Sequence, residues 1–391
     1  MKIFKILLLV LFTATASFGL QGTSSPEDLK SLLEPIRQSH DLPALAGAIV
    51  TSKGLQAIGV VGVRKYGAGV PVTINDQFHL GSDTKAMTAT LLAMYVEEGK
   101  LGWDWTLERI FPELASSMNP AYRRVTVEQL LAHRAGFTDA SWPQGKTFTD
   151  MYELQGPPRE QRWAYVKMIL REPPVNEPGT KYLYSNRSYA VAGVIAEKMA
   201  NAPWEELMHK RLFGPLKMST CGFGAMGTPG KIDEPWQHRV AGTRHQPIEP
   251  GPRADNPPVI GPAGTVHCSM GDWAKFIQAH LRGELGESGL LKPATFKYLH
   301  TSPYGDYGFG WLLVQRPWAG GLALNHAGSN TQNFAIVWMA PLKDFAVLVM
   351  TNQADQQGET FKACDETAAA LIQDFNKTKT HNAEEQRKQR D

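Results

Sequence analysis

A serine and a lysine three residues apart, Ser82 and Lys85, sit where Gln77-Phe-His-Leu-Gly-Ser-Asp-Thr-Lys85 leads into a helical run. On a helix this spacing puts both side chains on one face, with an axial rise of roughly 4.5 Å between them. A hydroxyl and an amine so placed can act as nucleophile and base. The helix N-terminus favours an alkoxide and disfavours an ammonium, but only by about 0.3–1 kcal/mol. Burial or a third group must therefore supply most of the activation. A lone S-x-x-K is also an ordinary solvated pair, so the rest of the chain has to converge on it. Two other triplets are suited to that. Tyr184-Ser185-Asn186 follows the turn Glu177-Pro-Gly-Thr180 and precedes a helix; it is the only Y-x-N in the chain. His326-Ala327-Gly328 ends a β run and is followed by Ser329-Asn-Thr331.

These residues need a frame. Ser25-Pro-Glu-Asp28 reads as a helix start with Pro26 at the first helical position, and Leu29, Leu32, Leu33 and Ile36 carry that helix to about Gln38. Residues 45–51 and 55–63 are β-rich runs joined by Ser52-Lys-Gly54, a hairpin. Met87, Leu91, Met94 and Tyr95 mark one apolar face of a helix over 86–100. Between 101 and about 300, helical patches at 127–132, 162–171, 189–200 and 272–281 alternate with Pro/Gly-rich loops. Strands return at 308–314, 322–325, 333–339 and 345–351. A helix over 359–375 closes the fold, and the polar segment 377–391 reads as a disordered tail. The expectation is an α/β fold of the α+β type. One antiparallel sheet is built from N- and C-terminal strands (about 25–80 and 301–376) and covered by terminal helices. A mostly helical second lobe spans about 81–300, with the site between the lobes.

In this order and spacing, Ser82-x-x-Lys85, Tyr184-x-Asn186 and His326-x-Gly328 resemble the serine β-lactamase and penicillin-binding-protein superfamily. The resemblance is nearest to the branch of class C β-lactamases, D,D-carboxypeptidases and related esterases. Leu130-Leu-Ala-His-Arg-Ala-Gly-Phe137, Glu177-Pro-Gly-Thr180 and Gly261-Pro-Ala-Gly264 add local matches. The resemblance runs from about Ser25 to Phe375 and implies a β-lactamase/transpeptidase-like fold. It implies that Ser82 forms an acyl-enzyme, that Lys85 or Tyr184 is the base, and that Asn186 bonds Lys85 and the substrate amide. It implies an oxyanion hole from the backbone N–H groups of Ser82 and Ser329, with Gly328 leaving the substrate room along the strand. His326 stands where class C β-lactamases carry lysine, as in some D,D-peptidases and esterases. Ala327 lacks the hydroxyl that usually helps to hold a substrate carboxylate; Ser329 and Thr331 are the candidates to replace it. The implied reaction is hydrolysis of an ester, amide or D-amino-acid peptide bond, with β-lactams a secondary substrate. The alternative is a catalytically weak receptor for penicillin or cell-wall peptides.

Composition sets the remaining bounds. The chain has 391 residues, 42% hydrophobic and 20% charged, as in a folded protein with a large core. A net charge of +2 gives no basis for a nucleic-acid partner. The partner expected is a small-molecule or peptide substrate, cell-wall fragments among them. No H-E-x-x-H, nucleophile elbow or C-x-x-C occurs, so neither cofactor nor metal is implied, and His133, His238 and His245 read as structural or surface residues. Lys2 and Lys5, the apolar run 6–12 and small residues at Ala14, Ala16, Ser17 and Gly19 have the form of a cleavable signal peptide over 1–19. Export to a periplasm or the exterior is then expected, without a stable membrane anchor. Three cysteines, Cys221, Cys268 and Cys364, are too few for a disulfide framework; one pair can form, and spacing does not choose it.

Overall fold

A computed structural model describes residues 25–388 of the protein, except 141, 243 and 306. The leader expected over 1–19 lies outside the described residues. In chain order, β1 (Glu27–Asp28), α1 (Lys30–Ser39), β2 (Ala44–Thr51), β3 (Gly54–Gly62) and β4 (Gln77–His79) lead to a 3-10 turn, Gly81–Asp83, and then to α2 (Thr84–Glu97). The principal elements of the middle are α3 (Val127–Leu131), α4 (Pro158–Ile169), α5 (Asn186–Ala200), β5 (Gly222–Phe223), β6 (Gln237–Ala241), β7 (Arg244–Ile248), β8 (Val266–Ser269) and α6 (Met270–Glu284). The chain closes with β9 (Leu312–Arg316), β10 (Gly321–Ser329), β11 (Phe334–Ala340), β12 (Phe345–Thr351), β13 (Gln353–Ala354) and α7 (Glu359–Lys388).

The main sheet has the order β1-β3-β2-β12-β11-β10-β9, so N- and C-terminal strands meet where β2 pairs antiparallel with β12, Ala48 opposite Leu348. Strand alternation sorts the side chains. Ile49, Val347 and Val349 face Leu33 and Ile36 of α1 and Leu371 and Ile372 of α7. Ala48, Val50, Leu348 and Met350 belong to the opposite core, with Trp273, Phe276 and Ile277 of α6. Each such large apolar side chain gains roughly 1.5–3 kcal/mol on burial. Helix α6 thus lies on the sheet, although its sequence position was expected in the helical lobe. Two small sheets, β13-β6-β7 and β4-β8-β5, join strands from the middle of the chain to β4 and β13 from either side of it.

Other expectations are corrected as well. The first helix begins at Lys30, not Pro26. Glu27 and Asp28 pair in parallel with Ala57 and Ile58, and the Asp28 carboxylate accepts the Lys30 N–H at 3.0 Å. Pairing with a sheet edge outweighs proline's preference for a helix start. Helix α2 is not amphipathic: every residue from Thr84 to Tyr95 is buried, because α5, the Gly261–Gly264 turn and the short helices Trp204–Met208 and Pro293–Leu299 pack around it. The closing helix continues past Phe375 to Lys388, so the expected disordered tail is helical over its described residues. Extending a helix already anchored by packing costs no new nucleus, and Lys, Glu, Ala and Gln propagate it well. Cys221 and Cys268 form a disulfide with a sequence separation of 47, and Cys364 is buried and free. Closing a loop of that length stabilises the fold by about 4 kcal/mol in the chain-entropy account.

Candidate active site

Two glycines set the approach of sheet to nucleophile. A Cβ on Gly328 of β10 would overlap the Leu80 carbonyl oxygen and stand 2.6 Å from the Ser82 nitrogen. A Cβ on Gly81, at φ 51°, would overlap the Ser329 nitrogen. Only residues without side chains let β10 lie against the 3-10 turn this closely. The backbone nitrogens of Ser82 and Ser329, the pair expected to form an oxyanion hole, are therefore brought to the same small region. Strand β10 also runs further than its apolar pattern indicated: His326, Ala327 and Gly328 pair with Val337, Ile336 and Ala335.

Lys85 is fully buried, while Ser82 is partly exposed. The lysine Nζ lies 3.0 Å from Ser82 Oγ, 2.8 Å from Asn186 Oδ1 and 2.8 Å from the Ala263 carbonyl oxygen. Asn186 is the first residue of α5, and Ala263 sits in the Gly261–Gly264 turn, so three separate segments meet at one nitrogen. Burial pushes the lysine down to about 7, against smaller opposing effects of the Asp139 and Asp83 carboxylates. The two oxygens of Asn186 and Ala263 can only accept. They take two N–H bonds, so in the amine form the remaining tetrahedral direction, a lone pair, faces the Ser82 hydroxyl.

Tyr184 neighbours the pair: Lys85 Nζ is 4.7 Å from its ring centroid, and Ser82 is among the groups that act on its phenol. Burial drives the phenol well above its ordinary value, so it is protonated at neutral pH. His326 is buried. Its Nε2 is 3.0 Å from the Tyr307 hydroxyl, and its Nδ1 is 3.5 Å from Asp83 Oδ1. Burial raises Asp83, with His326 and Lys85 opposing. Ser329 Oγ donates to the Asn333 carbonyl at 2.7 Å and accepts the Thr331 N–H at 2.9 Å. That hydroxyl is engaged in its own turn and does not take the place of the one missing at Ala327. All seven expected residues, Ser82, Lys85, Tyr184, Asn186, His326, Gly328 and Ser329, thus border one site.

Several neighbours were not legible as site residues. Asp139 accepts from the Ser185 hydroxyl at 2.7 Å and from the Asn186 N–H at 2.6 Å, which fixes the start of α5. His133, at φ 56°, accepts the Ser185 N–H at 3.1 Å, and its ring lies 4.4 Å from that of Tyr184. Burial keeps His133 far below its ordinary value, so it supports the tyrosine loop as a neutral ring. This agrees with its reading as structural. Tyr307 has no motif; it arrives from the loop before β9 through the Tyr307–Leu312 bridge. Asp83 could have been found from its place between Ser82 and Lys85.

A sheet of N- and C-terminal strands with a helical lobe beside it is a β-lactamase/transpeptidase-like fold. The chain belongs to the Beta-lactamase family, whose model matches residues 29–371. Penicillin-binding protein 4 of Amycolatopsis lactamdurans is 26% identical over 336 residues, covering 82% of this chain and 83% of that protein. The D-alanine carboxypeptidase AmpC of Burkholderia cenocepacia superposes with a TM-score of 0.67 at 20% identity, covering 88% of this chain and 97% of its own. EstCE1, a hydrolase with promiscuous acyltransferase activity, gives 0.70 at 19% identity, with 87% and 98% covered. At these identities the structural likeness is one of fold. The family is one of hydrolases, and the chain's relatives include penicillin-binding proteins, β-lactamases and a putative D-alanyl-D-alanine carboxypeptidase.

Proposed function

We propose that this chain is an exported serine hydrolase that cleaves esters or amides through an acyl-enzyme on Ser82. The observation that carries this is the set of partners around Lys85, which aims an amine lone pair at the Ser82 hydroxyl. The Ser82 proton passes to Lys85 Nζ as Oγ bonds to the substrate carbonyl carbon. The resulting oxyanion is met by the Ser82 and Ser329 N–H groups. Collapse breaks the bond to the leaving group, which takes a proton from the Tyr184 phenol, and Lys85 resupplies that phenol. Water then releases the acyl group by the reverse proton path, with Lys85 or Tyr184 as base. Asn186 holds Lys85 in line.

The substrate reading is a neutral carbonyl compound in preference to one with a carboxylate beside the scissile bond. Ala327 offers no hydroxyl, the Ser329 hydroxyl is turned into its loop, and His326 faces the Asp83 carboxylate. Export is supported by the Cys221–Cys268 disulfide, which persists in oxidising compartments, and by the form of residues 1–19. No helix among the described residues is long and apolar enough to cross a membrane. The test is a panel of p-nitrophenyl esters, D-amino-acid amides and nitrocefin, compared by kcat/KM, with fluorophosphonate labelling of wild type and Ser82→Ala. Faster ester turnover and label on wild type alone are expected. Equal labelling of both proteins would refute the acyl-enzyme, and faster nitrocefin hydrolysis would refute the substrate reading.

A further inference from the structure

We propose that Asp255 is a positioning residue for the oxyanion hole, acting through His79 and Asn330; this rests on the acyl-enzyme reading above. Gly81, immediately before the nucleophile, donates its N–H to His79 Nδ1 at 3.0 Å. The ring hydrogen therefore sits on Nε2, which lies 2.9 Å from Asp255 Oδ2. The other oxygen of the same carboxylate, Oδ1, accepts from Asn330 Nδ2 at 2.9 Å. Asn330 directly follows Ser329, and its own Oδ1 accepts the Gln332 and Asn333 N–H groups at 3.2 and 3.0 Å. Gln237 Oε1 completes the turn by accepting from Asn330 Nδ2 at 2.6 Å and from Asn333. One carboxylate thus joins the segment that carries the Ser82 N–H to the segment that carries the Ser329 N–H.

The arrangement is directional and dry. His79 is fully buried, and Asp255 and Asn330 are almost so. The carboxylate offers only acceptors, one to each side, and both neighbours present donors to it. An amide at 255 has a single acceptor, so one of those donors would meet an N–H. If the amide nitrogen turned to His79, the ring would have to move its hydrogen to Nδ1, where the Gly81 N–H already points. Either outcome loosens one of the two segments. A shift of a few tenths of an ångström is enough to weaken a hole that works by preorganised donors. The sequence holds no motif for this: His79, Asp255 and Asn330 are 176 and 75 residues apart along the chain.

The experiment compares Asp255→Asn with wild type on an oxygen ester and its thiono analogue, in which a larger, weakly accepting sulfur replaces the carbonyl oxygen. The expected result is a loss of kcat of about 10–100-fold with KM changed less than about threefold. The preference for the oxygen ester should shrink by a similar factor. An unchanged kcat would overturn the proposal, as would a loss of kcat with the oxygen-to-sulfur preference intact, since a general structural defect slows both substrates alike. If Asp255→Asn does not fold, His79→Gln serves: it keeps a donor for Asp255 but removes the acceptor for Gly81, and the same change in preference is expected. On the wild type, imidazole 15N shifts should show His79 protonated at Nε2 only; protonation at Nδ1 would overturn the relay. Ser82→Ala runs alongside. Its retention of full turnover would remove the acyl-enzyme reading itself, whereas failure of the Asp255 variant alone leaves that reading standing.

Discussion

Acylation of Ser82 should rise with pH through a single ionisation near 7, set by Lys85. The lysine's value in the fold is about 7 against an ordinary 10.5. At pH 7 roughly half of it is then amine, where an unperturbed lysine would be amine in about one molecule in 3,000. Burial therefore enriches the reactive form on the order of 10³-fold. Between pH 5 and 8 the amine fraction climbs from about 1% to about 90%, so kcat/KM should rise nearly 100-fold and then level off. The assay is the pH profile of kcat/KM for a short p-nitrophenyl ester, whose own charge does not change over that range. Two variants separate the sources of the limb. Asp139 holds the lysine up, so Asp139→Asn should move the limb to lower pH. Tyr184→Phe should lower the plateau and leave the limb in place, because the phenol is protonated throughout. A flat profile between pH 5 and 9, or a limb that vanishes with Tyr184→Phe, would refute Lys85 as the base.

The same shift has a consequence for stability. A lysine whose folded value lies below its unfolded one leaves the unfolded chain with more protons between about 7 and 10.5. Its contribution to unfolding free energy therefore becomes more favourable as pH rises across that window, by a few kcal/mol at most. Lys85→Met should flatten this rise in urea-melt series at pH 7 and 9; an identical rise in both proteins would contradict the buried ammonium's cost. Gly328→Ala should cut kcat at least about 10²-fold, because its Cβ overlaps the Leu80 carbonyl oxygen; retained ester turnover would show that the strand can yield. Cys268→Ser, or reduction, should cost about 2–4 kcal/mol in chemical unfolding. Arg162→Met should cost about 3–5 kcal/mol, since fully buried Arg162 pairs with Glu197 at 2.7 Å and Glu205 at 2.9 Å, and the two carboxylates would be left without it.

Local signals carried much of this protein. The β-rich apolar runs at 45–51 and 345–351 marked strands that do pair with each other, and Ser52-Lys-Gly54 marked the hairpin between β2 and β3. The three-residue spacing of Ser82 and Lys85 puts both on one face within reach of each other, and the 3.0 Å separation follows once Asn186 and Ala263 hold the lysine. Where tertiary burial competed with a local preference, local reading failed. Helix α2 shows an apolar face in sequence but is buried on all sides, and Pro26 yielded to strand pairing. The polar end of α7 is helical because the packed part had already nucleated it.

The sequence alone pointed to a hydrolase family and to residues suited to its chemistry: a hydroxyl one helical turn from an amine, a tyrosine and asparagine before a helix, and a glycine in a strand. Only the tertiary structure decided the state of those groups. The desolvation that brings Lys85 to about 7 comes from the segments packed around it. The lone-pair direction comes from an asparagine 101 residues away and a carbonyl 178 residues away. The link between the segments that carry the Ser82 and Ser329 N–H groups comes from Asp255. These are long-range contacts between buried polar groups, and no spacing along the chain encodes where such partners meet.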